Sequence, residues 1–316
     1  MEEDWLAPAD ADVAHSSARL KSEANLATAV ADACARRGLD HSEARLIHHY
    51  SNAVYLLPRE NAVARIATGP EAARRCLQTA EVVRRLAANG VAATEPLSGV
   101  EPVTHGDTTV SFWDYYPQQD SPGLNSAHLG HLLRHFHQAG PSSVTVGSWV
   151  PLASLHAALG EVECSNALTP HERQWLLDRI QQVRVRLSGL DWPLGEGLIH
   201  GDAWAGNLLW DAKANRAVLG DWDWVSHGPR EVDLIPTWHA ATRYGKGPAW
   251  SGAFVEEYGY DLAEWSGFKP LMAMRDLVQL TGPIRRAGIG VSYAQALRQR
   301  LNSLMSGDTE TVWVAL

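Results

Sequence analysis

Residues 198–211, LIHGDAWAGNLLWD, set one aspartate, Asp202, five residues ahead of an asparagine, Asn207. A second carboxylate, Asp221, follows fourteen residues later in VLGDWDW. Moving a phosphoryl group from a nucleoside triphosphate needs a carboxylate beside the acceptor hydroxyl and oxygen ligands for Mg²⁺. An Asp and an Asn five apart on one loop can divide that work, with Asp202 toward the acceptor and Asn207 toward the metal. Asp221 can then supply the carboxylate that links the metal to the β- and γ-phosphates. The alternative is that Asp202 and Asn207 simply cap turns, as these residue types often do. That alternative does not account for the second carboxylate.

Such a set works only if strands bring it together. The apolar runs around 207–211 and 217–221 are short enough for strands, and the turn through DAKAN lets them pair as a hairpin. Upstream, NLATAVADACARRG (25–38) reads as a helix closed by Gly38, after a polar arm over 1–22. ARLIHH, AVYLLP and NAVARIA are β-rich runs separated by polar turns. Pro70 opens a long helical stretch stopped by Gly90, and TTVSFWDYYP (108–117) reads as a further strand. Beyond Pro117 the pattern turns helical, over 126–139, 170–189, 231–244, 262–280 and 292–305. The layout predicts an α+β chain in two parts. Residues 1–116 form an N-terminal arm and a small antiparallel-sheet lobe with one long helix; residues 117–316 form a larger, mainly helical lobe.

Composition narrows the function classes. A chain of 316 residues, 45% hydrophobic and 20% charged, is ordinary for a globular protein with a substantial core. A formal net charge of -9 argues against a nucleic-acid backbone as partner. No apolar run approaches the roughly 18 residues of a membrane span, and the acidic N-terminus lacks the basic and apolar segments of a signal peptide. The three cysteines are odd in number and widely spaced, so a reducing cytoplasm is the expected setting. Nothing in the sequence fixes the oligomeric state.

HGDAWAGNLL and LGDWDW together resemble the catalytic loop and metal-binding segment of the aminoglycoside phosphotransferase and choline kinase superfamily, the protein-kinase-like small-molecule phosphotransferases. The resemblance implies a two-lobed kinase fold with the cleft between its lobes, and transfer of a γ-phosphate to a small-molecule hydroxyl. It implies that His200 orients the loop, Asp202 is the catalytic base, and Asn207 and Asp221 bind Mg²⁺. Asp233, in GPREVDL, would buttress the loop. At lower specificity HYSNAVYLL resembles the phosphate-covering hairpin, with Ser51, Asn52 and Ala53 over the phosphates. Arg65 stands where the family places its phosphate-gripping lysine, and Glu81 matches the helix glutamate that pairs with it. SFWDYYP, with Trp113 and Tyr115, resembles the hinge whose backbone meets the adenine. ATP is the implied donor, with GTP left open. The hairpin lacks glycine and the lysine is replaced by arginine, which differs from it in reach and geometry.

Other constellations carry less. His131 and His135 stand one helical turn apart and could share a metal, but no H-E-x-x-H signature is present. RAGIGVSY has a Gly-x-Gly without the Walker lysine. Most of the tryptophans between 204 and 238 read as core; Trp204, inside the loop, is the candidate for stacking on an acceptor ring, with Asp223 a further candidate contact. Between 200 and 266 ten acidic residues stand against five basic ones, which favours an amino-bearing acceptor such as an antibiotic, natural product or amino alcohol. Two other classes remain open: a nucleotide-binding pseudokinase, suggested by Arg65 and the glycine-free hairpin, and a metal-dependent hydrolase, which needs more ligands than the motif offers.

Overall fold

The computed structural model describes residues 25–49, 52–69, 71–119, 121–139, 145–164 and 166–316. The polar arm over 1–22, the expected phosphate contact Ser51 and the helix-opening Pro70 lie outside them. The chain forms two compact units, one of 1–84 with 94–116 and one of 85–93 with 117–316.

In the first unit a helix over 25–37 (α1) precedes strands β1 (Arg45–His49), β2 (Ala53–Leu57), β3 (Ala62–Thr68), β4 (Val103–His105) and β5 (Thr108–Asp114). Helix α2 (Ala72–Ala88) lies between β3 and β4 in sequence. The sheet is antiparallel throughout, in the order β1-β2-β3-β5-β4. Alternation along the strands decides its buried face. Ala53, Tyr55 and Leu57, then Ala64 and Ile66, then Val110 and Phe112 form one core with Val30, Ala33 and Cys34 of α1. Burial pushes the Cys34 thiol up to about 11, which makes it an inert part of that core. Strand β5 stops at Asp114, three residues before Pro117. Its last amides are already engaged, that of Asp114 by the Glu95 carbonyl and that of Tyr115 by Asn61.

The second unit takes in residues 85–93 as well, which departs from a division at 116 alone. The reason is a backbone ladder: Leu219 N–H donates to the Ala92 carbonyl at 3.0 Å, and Ala93 bridges to Leu219. Two short antiparallel pairs carry the functional loops. Strands β6 (Glu196–Ile199) and β9 (Ser226–Pro229) form one, and β7 (Leu208–Asp211) and β8 (Arg216–Leu219) the other.

Helices α3 (Ser126–Ala139), α4 (Ala153–Gly160), α5 (Pro170–Ser188), α6 (Glu231–Arg243), α7 (Pro248–Tyr258), α8 (Phe268–Val278), α9 (Thr281–Arg286) and α10 (Val291–Ser306) complete the unit. Thr169 begins α5 with a full capping box: Glu172 N–H donates to the Thr169 hydroxyl and Thr169 N–H to the Glu172 carboxylate. The helix expected over 262–280 starts six residues late. Asp261 caps a separate 3-10 turn at Leu262–Glu264, and the true helix waits for Phe268. Helices α4 and α9 are short, and α9 carries an internal Pro283, so neither shows a sustained helical period. No helix among the described residues is long and apolar enough to cross a membrane.

Candidate active site

The hairpin register explains how residues fourteen apart become neighbours. Leu208 pairs with Leu219, so the next pair outward is Asn207 with Gly220, closed by Gly220 N–H donating to the Asn207 carbonyl at 2.8 Å. Asp221 is the following residue. It adopts a left-handed backbone, φ 59° and ψ 54°, a conformation tolerated by Asp more than by most side chains. Such a turn at the mouth of a strand sends the chain sharply away and belongs with sites that need a side chain re-aimed.

Asn207 is oriented by its own loop. Its Nδ2 donates to the Asp202 carbonyl at 3.0 Å, which leaves the amide oxygen Oδ1 as the outward ligand atom. The donor set is therefore one amide oxygen and one carboxylate, the hard oxygen chemistry that suits Mg²⁺. That ion commonly takes one or two protein carboxylates and fills the rest of its shell with phosphates and water. Among the described residues no group of three His, Cys, Asp or Glu is placed to hold a metal alone.

His200 is fully buried and joins the two loops. Its Nε2–H donates to the Gly220 carbonyl at 2.8 Å, while Nδ1 accepts the Asp202 N–H at 3.3 Å. These partners fix one tautomer. Trp222, beside Asp221, packs its ring 4.6 Å from that of His200.

Beneath the loop lies Asp233, on the first turn of α6 and fully buried. Its carboxylate accepts His200 N–H at 2.7 Å, Gly201 N–H at 2.8 Å and His137 Nε2–H at 3.1 Å. His137 Nδ1 in turn accepts from the Tyr258 hydroxyl at 2.8 Å. Burial, reinforced by the Asp233 charge, pushes that hydroxyl well above its ordinary range, so it stays a donor. Hydrogen bonds to a charged acceptor contribute about 1.5–3 kcal/mol each, so this three-way anchor holds the loop firmly.

Glycine is required at one position of the loop. Gly201 has φ +84°, and a Cβ there would overlap the Trp224 carbonyl oxygen. Gly206 lies under the Trp204 ring, which a side chain at that position would have to push aside. Trp204 thus covers the loop with one part of its surface and is 47% exposed. Trp224 is also exposed, and Asp223 is half-buried.

One residue in this cluster has no local sequence signal. Arg275, on α8, donates from Nη1 to Asp202 Oδ1 at 2.8 Å. It lies 73 positions from its partner, outside the window in which the acidic excess was counted. With Asp202 paired to Arg275, and Glu231 and Asp233 fully buried, the acidic count loses its force as a guide to the acceptor.

The residues expected on the nucleotide side belong to the first unit. Arg65 sits on β3, the central strand of the sheet, opposite Val54 and Ser111. Its guanidinium carbon lies 5.9 Å from the Trp113 ring centroid. Glu81 is exposed on α2. Asn52 and Ala53 lie at the start of β2, with Ala53 buried. Trp113 is buried and donates from Nε1 to the Ser111 hydroxyl at 3.0 Å.

A small antiparallel sheet with one long helix, followed by a helical unit bearing this loop, defines a protein-kinase-like small-molecule phosphotransferase. Residues 43–271 match the model of the phosphotransferase enzyme family, APH, and the chain belongs to that family. No curated protein matches it. Several solved structures share the fold. The amicoumacin kinase hAmiN, in complex with AMP-PNP, Ca²⁺ and Ami, has a TM-score of 0.67 at 13% identity, covering 87% of this chain and 92% of its own. A microcompartment-associated aminopropanol kinase has a TM-score of 0.64 at 17% identity, covering 90% and 99%. A choline/ethanolamine kinase family protein from Mesorhizobium loti has a TM-score of 0.59 at 19% identity, covering 84% and 88%.

Proposed function

We propose that the protein is an ATP- and Mg²⁺-dependent kinase that moves the γ-phosphate to a hydroxyl of an amino-bearing small molecule. One observation carries the reading. The Asn207 side chain is tied to the Asp202 carbonyl, Gly220 beside Asp221 is tied to the Asn207 carbonyl, and buried Asp233 holds the loop's backbone amides, all of which support a joint role for Asp202, Asn207 and Asp221. Turn capping requires none of this coordination. Asp202 receives the acceptor proton, while His200 acts through the backbone it holds. Asn207 Oδ1 and the Asp221 carboxylate would hold Mg²⁺, which when bound neutralises charge on the β- and γ-phosphates. Arg65, with Glu81 orienting it, and Ser51, Asn52 and Ala53 would grip the phosphates. The hinge at Trp113 and Tyr115 would face the base. Trp204 offers a ring face to the acceptor, and Asp223 an anionic contact.

The amino-bearing class rests on the neighbours: aminopropanol and choline/ethanolamine kinases share the fold. The test is a panel of aminopropanol, choline, ethanolamine and amicoumacin incubated with ATP and Mg²⁺, scored by the mass gain of one phosphate. Transfer to at least one is expected, and Asp202→Ala should lose roughly 10²- to 10⁴-fold of that rate while still binding nucleotide. A wild type that binds ATP and phosphorylates nothing, water included, would make the protein a pseudokinase.

A further inference from the structure

We propose that Arg275 is a positioning residue for the catalytic carboxylate, fixing the Asp202 side chain from α8 rather than from its own loop; this rests on the kinase reading above. The Asp202 main chain is already held, its N–H by His200 and its carbonyl by Asn207. Its side chain would still rotate. Arg275 engages Oδ1 alone, and Oδ2 accepts no hydrogen bond from the described residues. One oxygen is thus clamped and the other is left for the acceptor hydroxyl.

Burial argues for a purpose beyond stability. The Arg275 side chain is 10% exposed and that of Asp202 32%. Arg275 Nε is buried with no hydrogen-bond partner. A buried, incompletely satisfied guanidinium is a weak stabiliser, often matched or bettered by an apolar side chain of similar volume. Its cost is understandable if placement of Asp202 is what it supplies.

The helix that presents it is itself pinned. Asp276, the next residue, receives two hydrogen bonds from Arg243 of α6, at 3.0 and 3.1 Å. Arg243 also donates to the carbonyls of Asp308 and Thr311, and Trp313 N–H donates to the Arg243 carbonyl. A rigid support of this kind is what holding a catalytic group within a fraction of an ångström requires. In the transfer step the acceptor O–H proton passes to Asp202 as the acceptor oxygen bonds to the γ-phosphorus. The bridging P–O bond breaks with its electron pair leaving on ADP. Arg275 keeps its own protons throughout.

A double-mutant cycle on kcat tests this, using whichever of aminopropanol, choline, ethanolamine and amicoumacin the wild type phosphorylates fastest. Arg275→Met should lower kcat about 10- to 100-fold, the usual loss for a residue that orients a catalytic group, with KM for ATP unchanged. Arg275→Lys, which keeps the charge but not the fork, should recover part of the loss. In an Asp202→Asn background, with product followed by radiolabelled phosphate, Arg275→Met should change kcat by less than about twofold, since its effect runs through Asp202. An equal loss in both backgrounds, or a loss that appears in KM for ATP instead, overturns the positioning role and leaves the kinase reading intact. If Arg275→Met does not fold, the same cycle is run with Arg275→Lys and judged alike. Absence of transfer by the wild type to every acceptor overturns the kinase reading and the positioning role with it.

Discussion

At the scale of single residues, Asp202, the proposed catalytic base, is held through its amide, its carbonyl and its carboxylate by three different side chains. The residues proposed to face the phosphates are held differently. Arg65 lies on a central strand, with its flat guanidinium near the Trp113 ring, a surface against which a planar cation rests well. If it grips the triphosphate, each charge-assisted hydrogen bond contributes about 1.5–3 kcal/mol. Arg65→Ala should then raise the dissociation constant for MgATP roughly ten- to hundredfold, measured calorimetrically. Arg65→Lys should restore only part of it if the neighbouring strand has adapted to arginine. Wild-type affinity in Arg65→Ala would place the phosphate grip elsewhere.

At the scale of elements, the loop between β6 and β7 is shaped less by its own sequence than by what it leans on. Asp233 on α6 takes two of its backbone amides, and the Trp224 carbonyl presses against Gly201. Gly201→Ala therefore meets two obstacles. Alanine is disfavoured at positive φ by about 1–2 kcal/mol, and the obstructing atom is backbone and cannot swing aside. Melting should show a loss of at least about 1 kcal/mol. Displacement of Asp202 by even an ångström would cost on the order of 10² in kcat. A Gly201→Ala enzyme with wild-type turnover would show that the loop tolerates the shift and that Asp202 is not held to close tolerance.

At the scale of the whole molecule, acid sensitivity should come from a buried polar cluster in the helical unit. Burial holds the His239 imidazole below its ordinary range, opposed by the Asp276 carboxylate 3.2 Å from its Nε2 and helped by the Arg275 charge. Although burial pushes the Asp276 carboxyl up, the nearby His239 and the two hydrogen bonds from Arg243 hold it below its ordinary range. Both groups bind protons more readily in the unfolded chain than in the folded one, so stability rises with pH across their ranges. The His239 contribution is complete above about pH 6.5, the unfolded value, and is lost as pH falls from there toward the folded one. Melting temperature should drop between pH 7 and pH 5, and His239→Gln should flatten that part of the curve. An equally steep drop in His239→Gln would assign it to other groups.

The period of apolar residues was enough to place α1, β1, β2, β3, β5, α3, α5, α6 and α10, because each buries one face and its sequence must alternate accordingly. The short β4, within a Gly/Pro-rich connection, was not placed by it. The spacing of Asp202, Asn207 and Asp221 was legible too, since a hairpin carries its own register in a short stretch of chain. Short helices such as α9, and the start of α8, were not, because local capping and tertiary packing outweigh a weak period there. Least legible was Arg275. Nothing near it in sequence marks it, for its role depends on α8 lying against a loop 73 residues away, and a long-range ion pair leaves no local pattern. The sequence by itself determined which groups can do the chemistry; the tertiary structure decided what surrounds them, and so which carboxylate oxygen is left open and how little the acidic count says about the acceptor.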